Sequence, residues 1–138
     1  MKAIFSSLPL PQFDTVYALL RITTGFLMLL HGWEVFDPTL MAEYGKWLND
    51  LHFPAPQFMA WLGKGTELVA GACLMLGFAT RLMTIPLMIA MLVVAFGMGH
   101  GKIWYGDQHP FLFVLLNVLF LFGGGGKWSL DGVLFDRR

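Results

Sequence analysis

Charged residues are scarce in this sequence. Only 13% of its 138 residues are Asp, Glu, Lys or Arg, whereas 57% are hydrophobic. Soluble domains carry about 25% charged residues, so lipid is the expected solvent of this chain. Lysine and arginine together number nine and are matched by nine acidic residues. Without a basic surplus to neutralise phosphates, nucleic-acid binding is disfavoured.

Cysteine and catalytic motifs are nearly absent as well. Cys73 is the single cysteine, so the chain can form neither an internal disulfide nor a Cys-x-x-Cys pair. We expect this thiol to be an inert packing residue. The glycine run at residues 123–126 does not continue into the Lys-Ser/Thr of a phosphate-binding loop. No hydrolase signature occurs.

Long apolar stretches dominate what is present. A helix that crosses a bilayer needs about 20 mostly apolar residues. Four candidates lie at residues 15–36, 57–78, 81–99 and 110–124. The fourth is the shortest, and the glycine run should end it. The sequence therefore predicts an all-α fold, an integral membrane four-helix bundle that forms a single transmembrane domain over residues 1–138.

The segment between the first two spans is patterned differently. Asp37 and Pro38 are typical of a helix N-cap followed by proline at the first helical position. Apolar residues then recur at helical spacing over residues 38–51, which is too short to span. We interpret this segment as an amphipathic helix in the membrane interface, anchored by Tyr44 and Trp47. An ordered loop in water remains the alternative.

The basic residues near the span ends predict the orientation. One side of the bundle holds Lys2, Arg81, Lys127, Arg137 and Arg138. The other side holds Lys46 and Lys102. Because basic residues concentrate on the cytoplasmic side, both termini should be cytoplasmic. Residues 127–131 resemble a second interfacial segment on that side. Arg21 and Arg81 should extend to the cytoplasmic headgroups.

Glu67 is the most informative polar residue, because it lies near the middle of the second span. A carboxylate at that depth is costly, and it usually faces a bundle interior with a partner. Lys64 is three residues away and can pair with it. Gly63 and Gly71 share its helical face, and small residues let a neighbouring backbone approach closely. Glu67 is therefore our candidate proton relay, although a hydrogen bond that only joins helices remains open.

Each of the other spans also places a polar group toward the same side. The candidate ligand-binding residues are His31, Glu34, Lys64, Glu67, His100 and Asn117. Their convergence predicts a polar pocket in the outer leaflet. The simpler interpretations are helix capping for the two histidines and an interhelical hydrogen bond for Asn117.

Metal ligation is poorly specified. His31 and His100 could hold a haem as a bis-histidine pair, but no His-x3-His or His-Glu-x-x-His spacing is present. We therefore predict no metal site and do not favour haem. His52 and His109 fall in loops and should be solvated.

The order of several landmarks resembles a known family. The landmarks are Arg21-x3-Gly25, His31-Gly32-Trp33, Glu67-x3-Gly71, Leu76-Gly77-Phe78-Ala79-Thr80-Arg81, His100 and Trp128-Ser129-Leu130-Asp131. From about residue 16 to 134 the chain is similar to the DoxX family of small bacterial four-span membrane proteins. Glu34 and Val35 depart from the pattern, since many relatives carry a lysine after the His-Gly motif.

The resemblance implies a location and a field of activity. The location is the bacterial cytoplasmic (inner) membrane, as a multi-pass protein. The family is named after a subunit linked to quinone-dependent sulfur oxidation, and its relatives are associated with redox proteins. Relatives that assist disulfide formation depend on cysteines that this chain lacks, so that role does not transfer.

The functional expectation is a redox-associated subunit whose outer-leaflet pocket takes a quinone-like or other small molecule. The alternative is a non-catalytic accessory subunit that packs against a larger membrane complex. The expected partners are membrane lipids and another membrane or redox protein, and a homo-oligomer is possible. The sequence leaves open whether the chain catalyses a reaction.

Overall fold

The computed structural model describes residues 12–135, and every regular element within that range is helical. The elements are α1 (Phe13–Gly32) with a 3-10 turn (Trp33–Phe36), α2 (Pro38–Asp50), α3 (Pro56–Leu76), α4 (Thr80–Leu92) continued by a π-helix (Val93–Met98), α5 (Gln108–Gly123) and α6 (Leu130–Phe135). The prediction of an all-α chain is confirmed for these residues. Lys2, Arg137 and Arg138 lie outside them.

Local signals account for several helix ends. The Asp37 carboxylate accepts hydrogen bonds from the backbone N–H groups of Thr39 at 2.9 Å and Leu40 at 3.2 Å. The predicted N-cap of α2 is therefore confirmed. The glycine run ends α5 as expected, because Gly124 adopts a φ of 68°, which residues with a Cβ rarely adopt.

Helices α1 and α3 lie antiparallel at very short range. A Cβ atom on Gly71 would lie 2.8 Å from the carbonyl oxygen of Gly25, and one on Gly32 would meet the backbone of Leu68. The predicted close approach is correct at Gly71 but wrong at Gly63, whose Cβ would meet none of the described atoms within 4 Å. The reason is that α1 ends opposite Leu68, so it does not extend along Gly63.

The remaining helices complete one apolar core. Helix α4 packs against α3 and α5. Met28 of α1, Leu74 of α3, Leu87 of α4 and Phe120 of α5 meet there and are almost completely buried. Helix α2 folds back onto α3 and forms a separate small cluster through Leu48. Helix α2 thereby closes one end of the α1–α3 pair.

Arg21 does not extend to headgroups, so that prediction is wrong. It is fully buried, and its guanidinium donates hydrogen bonds to the carbonyl oxygens of Leu74, of Met75 at 3.0 Å and of Trp128 at 2.6 Å. The last turn of a helix leaves carbonyl groups without intrahelical partners. The C-terminal turn of α3 therefore provides acceptors for a buried guanidinium, which sequence spacing alone does not reveal.

Length and composition single out two of the four predicted spans. Among the described residues, Phe13–Phe36 and Thr80–Met98 are long and apolar enough to cross a bilayer, and Gln108–Gly123 is apolar but shorter. Helix α3 has 21 residues and includes the charged Lys64 and Glu67. The four-span arrangement therefore stays a prediction.

Candidate functional site

A buried ion cluster joins α1, its 3-10 turn and α3. The ammonium nitrogen of Lys64 lies 2.9 Å from Oε2 of Glu34 and 2.9 Å from Oε2 of Glu67. It also donates a longer hydrogen bond, at 3.4 Å, to the carbonyl oxygen of His31. An ammonium group has three donors, so Lys64 uses all of them within the protein.

Burial strengthens the attraction between the charges of this cluster. Glu67 is 3% exposed, and the side chains of Lys64 and Glu34 are 13% and 31% exposed. Charges removed from water interact strongly, but they are tolerated only when they are paired. With both acids ionised, one ammonium and two carboxylates carry a net charge of −1. The predicted Lys64–Glu67 pair is present, and Glu34 joins it from the 3-10 turn that follows α1.

Tyr44 of α2 completes the cluster. It was predicted as an interfacial anchor, but its hydroxyl donates a 2.6 Å hydrogen bond to Oε2 of Glu34. Its ring centroid lies 4.7 Å from the Lys64 ammonium nitrogen, within the range of a cation–π contact. Burial, together with the hydrogen bond to the Glu34 carboxylate, raises the pKa of Tyr44 to about 12. The correction arises because α2 folds back onto α3 and turns this face inward.

A cavity of about 780 Å³ adjoins the cluster. His31, Glu34, Tyr44, Lys64 and Glu67 form its polar wall. The opposite wall comes from α4 and the π-helix and includes Pro86, Ile89, Ala90, Val93, Val94 and Met98. A mostly apolar cavity with a few convergent polar groups is the usual form of a small-molecule site.

His109 also lines this cavity and lies in helix α5, whereas we predicted a loop position; the residue is exposed, as we predicted. Its ring centroid lies 5.6 Å from that of His31 and 5.0 Å from that of Phe113. Helix α5 begins at Gln108, so His109 occupies its first turn and faces α1. Its position just before the apolar stretch at residue 110 was the sequence signal that could have placed it in the helix.

Two other candidate residues lie elsewhere. His100 is exposed and does not line the cavity, and its backbone N–H donates to the Asp107 carboxylate at 3.0 Å. Asn117 is fully buried in α5 and donates to the carbonyl oxygen of Phe113 at 2.8 Å. The structure thus brings together four of the six candidates, namely His31, Glu34, Lys64 and Glu67.

Within residues 12–135, no group of three or more His, Cys, Asp or Glu side chains is arranged to hold a metal ion. His31 and His100 do not share the cavity, so the bis-histidine arrangement considered for a haem is not assembled. The side chains of the polar wall can form hydrogen bonds, and the carboxylates can exchange protons.

Apolar helices that are exposed along much of their length, with charges enclosed between them, define a helical membrane protein. A family model described as DoxX matches residues 16–100. This is more than half of the chain, and the chain belongs to the DoxX family.

A relative supports the same assignment. The chain is 30% identical over 133 residues to a protein of Mycobacterium tuberculosis that is named an uncharacterized membrane protein. That match covers 86% of this chain and 80% of the relative. No solved structure matches the chain.

Proposed function

We propose that this protein is a redox-associated membrane subunit that binds a quinone-like small molecule in the cavity beside Lys64. The observation that carries the proposal is the pairing of a buried ion cluster with a mostly apolar cavity of about 780 Å³. A quinone has the same division into a polar head and an apolar body. The oxygen atoms of the head would lie at the Lys64 wall, and the apolar part would lie along α4.

The proposed topology has four spans, α1, α3, α4 and α5, with α2 and α6 in the two interfaces. Large aromatic residues are exposed at both ends of the helices, where aromatic belts occur in membrane proteins. At the α2 end they are Trp33, Phe36, Trp47, Trp104 and Tyr105, and at the α6 end they are Phe122, Trp128 and Phe135. This distribution supports a bilayer around the helices between the two belts.

The proposed orientation places the α6 end in the cytoplasm of a bacterial inner-membrane protein. Arg81 and Lys127 lie at that end and Lys46 and Lys102 at the other, so the excess of basic residues that marks a cytoplasmic side comes from the two chain termini. Lys2, Arg137 and Arg138, which are outside the described residues, belong to the same side by sequence. The cavity then lies in the outer leaflet.

Within this proposal Glu67 is the proton relay. It is the most buried acid of the cluster, and its hydrogen bond to Lys64 continues through Glu34 to Tyr44. A proton that leaves or reaches the head group at Glu67 can therefore be compensated along a connected chain. Electrons would come from, or go to, a partner redox protein, so the role is that of a subunit.

Binding to the purified protein tests this proposal. Decylubiquinone and its hydroquinone form are titrated while tryptophan fluorescence is followed, to which Trp47 in the cavity wall contributes. The wild-type chain should bind, and Lys64→Met, which leaves the Glu34 and Glu67 carboxylates without their cation, should weaken binding by about tenfold. Lys46→Met is the matched control, because Lys46 is exposed on α2 and lies outside the cavity wall.

The opposite result would favour the accessory role. If the wild-type protein binds neither the quinone nor its hydroquinone form, the proposed function is overturned. Recovery of a large stoichiometric membrane partner in mild detergent would then assign the chain to a non-catalytic accessory subunit.

A further inference from the structure

The polar wall of the cavity offers acceptors rather than donors. All three ammonium donors of Lys64 point to protein oxygens, and the Tyr44 hydroxyl donates to Glu34. Hydrogen bonds among the described residues use Oε2 of each carboxylate. Oε1 of Glu34 and Oε1 of Glu67 therefore remain available to accept a proton from a ligand.

The net charge of the wall limits which head groups can bind. One ammonium and two carboxylates give no positive excess, so a phosphate or carboxylate head would be repelled rather than bound. A cationic head would have to lie beside the Lys64 ammonium, whose like charge opposes it. A neutral hydroxyl group satisfies the free carboxylate oxygens without either penalty.

The cavity also opens sideways between α3 and α4. Leu62 on α3 and Ile89 on α4 line it, yet they are 51% and 58% exposed. Gly63 lines the cavity beside Leu62, and a Cβ there would meet no described atom within 4 Å. Under the proposed topology both exposed residues face hydrocarbon, so the opening leads into the lipid.

Resting on the proposed function, we infer that the ligand is a lipid-dissolved amphiphile of the phenol or quinol class, with a hydroxyl head that donates to the Glu67 and Glu34 carboxylates. It enters between α3 and α4 past Gly63, and its apolar tail remains in that opening. The reduced, hydroxyl-bearing form is therefore the preferred occupant, and the carbonyl-bearing quinone binds more weakly.

Head-group chemistry is tested with ligands that share one tail. Decylhydroquinone, decylbenzoquinone and decylamine are titrated against the purified protein under nitrogen, with tryptophan fluorescence as the signal. The hydroquinone should bind about tenfold more tightly than the quinone, as expected for hydrogen bonds to a charged acceptor. Equal binding of hydroquinone and quinone, or tighter binding of the amine, overturns the inference. Failure of both hydroquinone and quinone to bind overturns the proposed function itself.

The lateral opening is tested with a matched pair of substitutions. Gly63→Phe should fill the opening and weaken the binding of decylhydroquinone by about tenfold or more, because several methylene groups of the decyl tail lose their contacts. Gly65→Phe is the control, because a Cβ at Gly65 also meets no described atom within 4 Å and Gly65 does not line the cavity.

A ligand without a long tail distinguishes an effect on the lateral opening from an effect on head-group binding. Trimethylhydroquinone should bind the Gly63→Phe and wild-type proteins alike. Gly63→Leu, a smaller obstruction, should give an intermediate loss for the decyl ligand and provides a second variant if the phenylalanine form does not fold. Equal decylhydroquinone affinities in the Gly63 and Gly65 variants would overturn the lateral opening while leaving quinone binding in place.

Discussion

Two buried cations, Arg21 and Lys64, are stabilised in different ways. Lys64 is paired with two carboxylates. The hydrogen bonds of the Arg21 guanidinium go instead to backbone carbonyl oxygens of α3 and of the segment before α6. A planar guanidinium can direct several donors at once, whereas an ammonium acts as a compact point charge. Arg21 is therefore a structural residue that joins α1, α3 and the C-terminal segment.

The first prediction follows from this geometry. Arg21→Lys should lower the thermal unfolding temperature in detergent, because an ammonium cannot reach all three carbonyl groups. Each buried carbonyl left unpaired should cost about 1–3 kcal/mol. Arg81→Lys is the control, since Arg81 is exposed and makes one 3.3 Å hydrogen bond, to Phe122. Equal losses in the two variants would contradict a special role for Arg21.

The second prediction concerns Tyr44 and pH. Its pKa is raised to about 12 in the folded protein, above the value of about 10 for an unperturbed tyrosine. The stabilisation from its neutral hydroxyl should be complete below pH 10 and should be lost as the pH rises toward 12. Tyr44→Phe should therefore be less stable than wild type at pH 8, and the difference should shrink between about pH 10 and 12.

Unfolding free energies measured from pH 8 to 12 check this expectation. Tyr105→Phe serves as the control, because Tyr105 is 81% exposed and its removal should not produce such a pH-dependent difference. A wild-type advantage over Tyr44→Phe that stays constant up to pH 12 would contradict the hydrogen bond to Glu34.

At the scale of the helices, three glycines divide into two kinds. Gly71 lies where α1 and α3 are in close contact, and a Cβ there would press on the backbone of Gly25 and Leu29. Gly63 and Gly65, on the same helix, have open space instead among the described residues. A larger side chain should therefore have different effects on stability at the two kinds of glycine.

The third prediction uses this contrast. Gly71→Ala should destabilise the protein by about 1–3 kcal/mol, because the backbones must separate. Gly65→Ala should be neutral or stabilising by up to about 1 kcal/mol, since alanine is the better helix former. Thermal unfolding of both variants in one detergent measures the difference. A Gly71→Ala protein as stable as Gly65→Ala would show that α1 and α3 do not pack this closely.

At the scale of the whole molecule, the orientation in the membrane decides which compartment the cavity end faces. The fourth prediction uses cysteines placed in a Cys73→Ser background and an impermeant thiol reagent on intact cells. A cysteine at Asp50 or Tyr105 should be labelled, because both residues are exposed at the α2 end. One at Lys127, exposed at the opposite end, should react only after the cells are opened. Labelling of Lys127→Cys alone would reverse the orientation.

The sequence by itself determined the features that depend on spacing within one segment. The helical class, the N-cap at Asp37 and the end of α5 at the glycine run follow from local backbone chemistry. The Lys64–Glu67 pair follows likewise, because residues three apart on a helix are neighbours whatever surrounds them. These features were correct because they need no knowledge of which helix lies opposite.

Only the tertiary structure decided which segments face each other. Glu34 joins Lys64, and Tyr44 and His109 reach the same cavity, because α2 folds back onto α3 and α5 begins opposite the end of α1. The burial of Arg21 likewise depends on carbonyl groups from the distant C-terminal turn of α3. Helical periodicity gives the direction in which a side chain points relative to its own helix, but the partner in that direction is set by how the helices assemble.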